Sequence, residues 1–96
     1  MSASTTRFGL VFYAPPDSVA ACKEAIFNAG AGRYPGAGNY TQVCWSTTGT
    51  GQFRPGETAI PHIGTPGALE ETPEVRVEVM CLGEDVARKA VAALKA

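Results

Sequence analysis

Ninety-six residues, 45% of them hydrophobic, bound the chain to one domain, residues 1–96, near the lower size at which a core holds without staples. A net charge of −1 without any basic run excludes the electrostatic footprint of a nucleic-acid binder. No apolar run approaches the roughly 20 residues that a membrane-spanning helix needs.

The opening residues, MSASTTRF, are short and polar and do not read as a signal peptide. Cys22, Cys44 and Cys81 are odd in number, widely spaced and without a CxxC pair. They read as free thiols kept in a reducing compartment, which points to the cytoplasm.

Along the chain, residues 7–14 (RFGLVFYA) are apolar at both parities. That pattern predicts a strand covered on both faces, either central in a sheet or shielded by a neighbouring subunit. Residues 15–30 (PPDSVAACKEAIFNAG) predict a helix. Asp17 or Ser18 is placed to cap it, Val19, Cys22, Ile26 and Ala29 recur at helical spacing, and Gly30 is a natural stop. Residues 40–48 (YTQVCWSTT) are β-branched and aromatic and predict a strand, with Val43 and Trp45 on the face of Thr41 and Thr47. Gly49 is read as a hairpin tip, with a short second strand at 51–54.

Residues 55–73 show no periodicity, although connections in small domains usually run to about 4–6 residues. Residues 74–82 (EVRVEVMCL) alternate, with Val75, Val77, Val79 and Cys81 facing one way and Arg76, Glu78 and Met80 the other. The closing GEDVARKAVAALKA is an amphipathic helix, acidic at its start and basic at its end as the macrodipole favours. Strand, helix, strand, strand, helix predicts an α+β two-layer sandwich of the ferredoxin-like plan, βαββα(β), without its final strand.

The stretch most suggestive of chemistry is 47–71, TTGTGQFRPGETAIPHIGTPGALEE. GAGRYPG at 30–36 has the wrong spacing for a dinucleotide fingerprint and follows a helix instead of opening one. GTGQFRPG lacks the Gly-Lys-Ser/Thr ending of a phosphate-binding loop, although glycine-rich backbone beside Arg54 or Arg33 could form an anion nest. His62 is the only histidine. A metal there needs ligands from Cys44, Glu70, Glu71 or another subunit, because one histidine makes no two-histidine motif. A Cys44/His62 dyad would suit acyl transfer, but no spacing brings the pair together.

One resemblance covers nearly the whole chain from Phe8 onward. Its motifs are Gly30-Ala31-Gly32, Gly38-Asn39-Tyr40 and Thr48-Gly49-Thr50-Gly51, with Phe53, Pro55 and Gly56. They continue with Pro61, Ile63-Gly64, Gly67, Leu69-Glu70-Glu71 and Val75-Arg76. In these the sequence resembles the CutA-like domain of the Nif-three-like family. That domain occurs as an insert in dinuclear-metal toroidal proteins often labelled type-two GTP cyclohydrolases, and also alone as a small protein.

The resemblance implies a ferredoxin-like fold similar to CutA and to the PII signalling proteins, assembled as a homotrimer with ligands or metals in clefts between subunits. Such relatives continue past the last helix with a segment like His-Pro-Tyr-Glu-Glu and a final strand. The strand missing from this sequence is therefore expected to matter to its edge. The metal-binding residues of the toroidal proteins lie in domains absent from this sequence, so their activity is not carried over.

The expected function is a non-enzymatic, regulatory trimeric module. Gly30, Gly32, Asn39, Tyr40, Thr50, Arg54 and Glu70 are expected to contact a small ligand, and His62 a divalent metal ion. The glycines would permit close backbone approach, and Arg54 would meet an anion. The alternatives are a metal-dependent nucleotide hydrolase, or an accessory to one, and a protein-interaction domain.

Overall fold

A computed structural model describes residues 6–35, 38–58 and 64–96. Strand β1 is Arg7–Ala14, helix α1 Val19–Asn28, strand β2 Trp45–Phe53, strand β3 Glu70–Leu82 and helix α2 Glu84–Lys95. A 3-10 turn at Pro16–Ser18 leads into α1. The three strands form one antiparallel sheet in the order β1-β3-β2. The architecture is α+β, as the alternation of patterns predicts.

Both helices pack on the face of β3 that carries Val79 and Cys81. The buried cluster is Ile26 from α1, Ala90 from α2, Ala31, Val79 and Cys81, with Leu10, Phe12, Phe27, Val86 and Leu94 packed around it. Val77 is also fully buried. Ile26 alone contributes about 1.5–3 kcal/mol through its burial. The α1 stop is a Schellman motif: the N–H of Ala31 donates to the Ile26 carbonyl and that of Gly30 to Phe27, with Gly30 at φ +105°. On α2, Arg88 Nε donates to Glu84 Oε2 at 2.6 Å, an exposed pair one turn apart that adds a few tenths of a kcal/mol.

Burial raises the pKa of the Cys81 thiol. The neutral thiol's contribution to stability is full below its unfolded pKa and is lost as pH rises through the raised folded value. Alkylation of the native protein is therefore expected to reach the half-buried Cys22 and Cys44 and to spare Cys81 until it unfolds. Mass mapping of the labelled sites checks this, and early labelling of Cys81 would contradict the packing.

Three expectations are corrected. First, β2 runs unbroken from Trp45 to Phe53, so Gly49 is mid-strand and the hairpin joins β2 to β3 through 54–69. Second, Glu70–Pro73 belong to β3, which pairs with β2 from Phe53↔Glu70 onward. Pro73 is tolerated because β1 reaches only as far as Val75, leaving β3 an edge at that point. Third, β1 is not central. Among the described residues no strand pairs with its outer edge, and Val11 and Tyr13 are exposed on the face away from the helices.

The register also makes a two-stranded ribbon. β1 pairs with β3 only over 75–82, whereas β2 pairs over 70–78, so residues 70–74 and 49–53 overhang the three-stranded sheet. At about 3.4 Å per residue the overhang is roughly 17 Å long. The ends of the 54–69 connection are tied together: Gly67 N donates to the Pro55 carbonyl at 2.7 Å, and Arg54 Nη1 donates to the Gly67 carbonyl at 2.9 Å.

Candidate functional site

Strand pleating divides the sheet into a face that holds the helices and a face that holds none. Residues opposite one another in antiparallel register share a face. The open face therefore carries Arg7, Gly9, Val11 and Tyr13 of β1, Glu74, Arg76, Glu78 and Met80 of β3, and Trp45, Thr47 and Gly49 of β2. Val11, Tyr13 and Trp45 are 43, 59 and 55% exposed, a concentration of apolar and aromatic surface unusual for a small monomer.

Two hollows indent this face. One of about 400 Å³ is bordered by Arg7, Gly9, Val11, Tyr34, Trp45, Glu78 and Met80. Gly9 adds no side chain to it, and a Cβ built there would meet nothing within 4 Å. The other, about 210 Å³, lies at the root of the ribbon among Tyr13, Thr47, Gly49, Thr50, Glu74 and Arg76.

The residues singled out from the sequence do not form one site within the chain. Gly30 ends α1 beside Val86. Gly32 is buried in the sheet edge beyond β2, donating to the Met80 carbonyl at 2.8 Å and accepting from Val43 N at 2.9 Å. A Cβ on Gly32 would lie 2.8 Å from the Val43 carbonyl oxygen and 2.9 Å from Phe27, so its lack of a side chain is already required by packing. Asn39, at φ +49°, and the 69% exposed Tyr40 belong to a small turn closed by Tyr34 N donating to Tyr40 O.

Arg54 and Glu70 share the far end of the ribbon. Arg54 is engaged by the Gly67 carbonyl, and the Glu70 side chain packs on Gly64. Of the residues expected to contact a small ligand, Thr50 alone lines a hollow of the open face, while Cys44, weighed as a metal ligand, borders the larger one. His62 lies outside the described residues. Among the described residues no three His, Cys, Asp or Glu side chains gather as a metal cluster. None of the described helices is long and apolar enough to cross a membrane.

Sequence reasoning passed over Val11, Tyr13, Glu74 and Arg76 as site residues. The signal was present: in RFGLVFYA the residues out of phase with the core, Val11 and Tyr13, are apolar and aromatic where a solvated face would be polar.

No family model matches the chain. A GTP cyclohydrolase 1 type 2 homolog of Mycobacterium leprae is 49% identical over 70 residues, which are 73% of this chain and 17% of that protein. The homolog of the same name in Halalkalibacterium halodurans is 37% identical over 87 residues, 91% of this chain and 22% of its own length. A crystal structure of a Bacillus cereus protein related to NIF3 superposes on 97% of this chain and 22% of its own, with a TM-score of 0.75 at 28% identity. The chain thus spans less than a quarter of the length of the relatives it matches. Residue identity and backbone shape agree over the same segment, and both place this chain's likeness in the Nif-three-like family.

Proposed function

We propose that the chain acts as a CutA/PII-like, ferredoxin-like homotrimeric module of the cytoplasm that binds a small ligand or a divalent metal ion in clefts between subunits. The observation that carries this reading is the uncovered face of the sheet. A 10.0 kDa compact monomer exposes about 5,200 Å². This chain exposes 6766 Å², an excess of about 1,500 Å² by the same scaling. A subunit of a ring of three has two interfaces, each hiding about 800 Å² of its surface at standard size. The excess is of the size such an assembly removes.

Assembly also gives the scattered candidates a way to meet. Gly30, Gly32, Asn39 and Tyr40 lie near one end of the sheet, and Thr50, Arg54 and Glu70 lie along the ribbon. A ribbon reaching onto a neighbour would bring the second group to the first. In this reading His62 is the metal ligand. His62→Ala is expected to weaken divalent-ion binding without changing the number of chains, as read by calorimetry and sedimentation; unchanged affinity would remove His62 from the site.

A second reading has a specific support, the name GTP cyclohydrolase 1 type 2 homolog carried by the longer relatives. In it the assembled chain is itself a metal-dependent nucleotide hydrolase, or an accessory to one. Turnover of GTP by this chain with added divalent metal would favour the second reading, and ligand binding without turnover the first.

A further inference from the structure

Arg76 sits mid-sheet on the open face, with Tyr13 directly across on β1 and Thr47 directly across on β2. Its Nε is buried and makes no hydrogen bond. Its Nη2 lies 3.7 Å from Glu78 Oε2, a charge contact too long to be a hydrogen bond. A buried donor without a partner is unfavourable, and the rest of the guanidinium, on a side chain 43% exposed, is open to an acceptor. On the same face, two residues earlier, Glu74 points its carboxylate over Gly51, where a Cβ would come within 3.0 Å of Oε1. Opposite Glu74, Gly49 leaves the floor open, with nothing nearer than 4.0 Å to a Cβ built there.

We propose that the hollow of about 210 Å³ lined by Tyr13, Thr47, Gly49, Thr50, Glu74 and Arg76 is a binding site for a small zwitterion, a free α-amino acid, with its carboxylate on Arg76 and its ammonium on Glu74. This names a ligand class for the ligand-binding reading above and rests on it. A simple anion is disfavoured because Arg76 lies between two carboxylates, Glu74 and Glu78, leaving the row with a net negative charge. A simple cation leaves the Arg76 N–H unmatched. A dipolar ligand answers both.

Arg76 and Glu74 are alternate residues of β3, roughly 7 Å apart along the strand, and each would hold its end of the ligand through a charge-assisted hydrogen bond. The exposed Tyr13 ring provides an apolar wall for the ligand's side chain, and the Thr47 hydroxyl a further hydrogen-bonding group.

The test is the ¹⁵N–¹H signal of Arg76 Nε in the whole chain, assigned by its loss in Arg76→Lys and followed while glycine, L-phenylalanine, acetate, ethylammonium and inorganic phosphate are titrated. The two amino acids are expected to shift it saturably, with the single-charge probes at least about tenfold weaker, as loss of one charge-assisted partner implies. Glu74→Gln should weaken amino-acid binding by about tenfold and Glu78→Gln by less than about twofold.

A signal unmoved by either amino acid, or moved equally well by acetate or phosphate, overturns the proposal. So does Arg76→Gln changing the number of chains instead of the affinity. A trimer that ignores amino acids would sink this inference alone, whereas a monomer that binds them would sink the assembly and leave it standing.

Discussion

Replacing Gly32 with alanine is expected to destabilise the fold by about 2–5 kcal/mol, the sum of left-handed backbone strain and overpacking. Gly32 has φ +76°, and an added Cβ would press on the Val43 carbonyl oxygen at 2.8 Å, the Val43 nitrogen at 3.0 Å and the Phe27 ring at 2.9 Å. Two of these are backbone atoms of Val43, whose N–H is held by the Gly32 carbonyl while Gly32 N donates to Met80. Neither can move without opening the sheet edge. In a domain of this size, with about 5–10 kcal/mol in hand, the loss should lower Tm by about 8 °C or more. Thermal unfolding followed by circular dichroism reads it directly. A variant with unchanged Tm and lost ligand binding would contradict the packing role and return Gly32 to the ligand.

Trp45→Glu is expected to do the opposite, sparing the fold and dissociating the assembly. Trp45 is 55% exposed on the face without helices, so the substitution removes little core. Buried under a neighbouring subunit, the indole would be a central apolar anchor whose truncation costs about 2–4 kcal/mol, a loss of roughly 30-fold or more in affinity. The added carboxylate, set directly opposite Glu78, increases the cost. Light scattering should show the variant as a single chain with an unfolding midpoint close to that of dissociated wild type. An assembly of unchanged size would mean that this face is not where the copies meet.

The helices and β3 were legible because their patterns were local. Val75, Val77, Val79 and Cys81 alternate without interruption, and Gly30 and Glu84 mark a stop and a start by backbone freedom and charge. β2 was misread at Gly49, since glycine in a TTGTG run looks like a turn. Its strand conformation is imposed by pairing with Glu74, 25 residues away, which the local sequence does not contain.

β1 was legible as apolar on both faces but not as an edge, because strand order is set by which neighbour wins the long-range pairing. The candidate site was read from glycines and loops, and Gly32 proved to be needed by packing. Arg76 and Glu74 looked like an ordinary solvated face until the register put them beside Tyr13, Thr47 and Gly49 around one hollow.

Native mass spectrometry of the purified chain under gentle conditions decides whether copies of the chain assemble around a ligand, because it counts subunits and weighs whatever they retain. Three chains of 10.0 kDa, a species of about 30 kDa, are expected, with up to three equivalents of added mass once ligand or divalent metal is supplied. A bare 10.0 kDa monomer at every concentration, with no retained mass, would contradict that assembly.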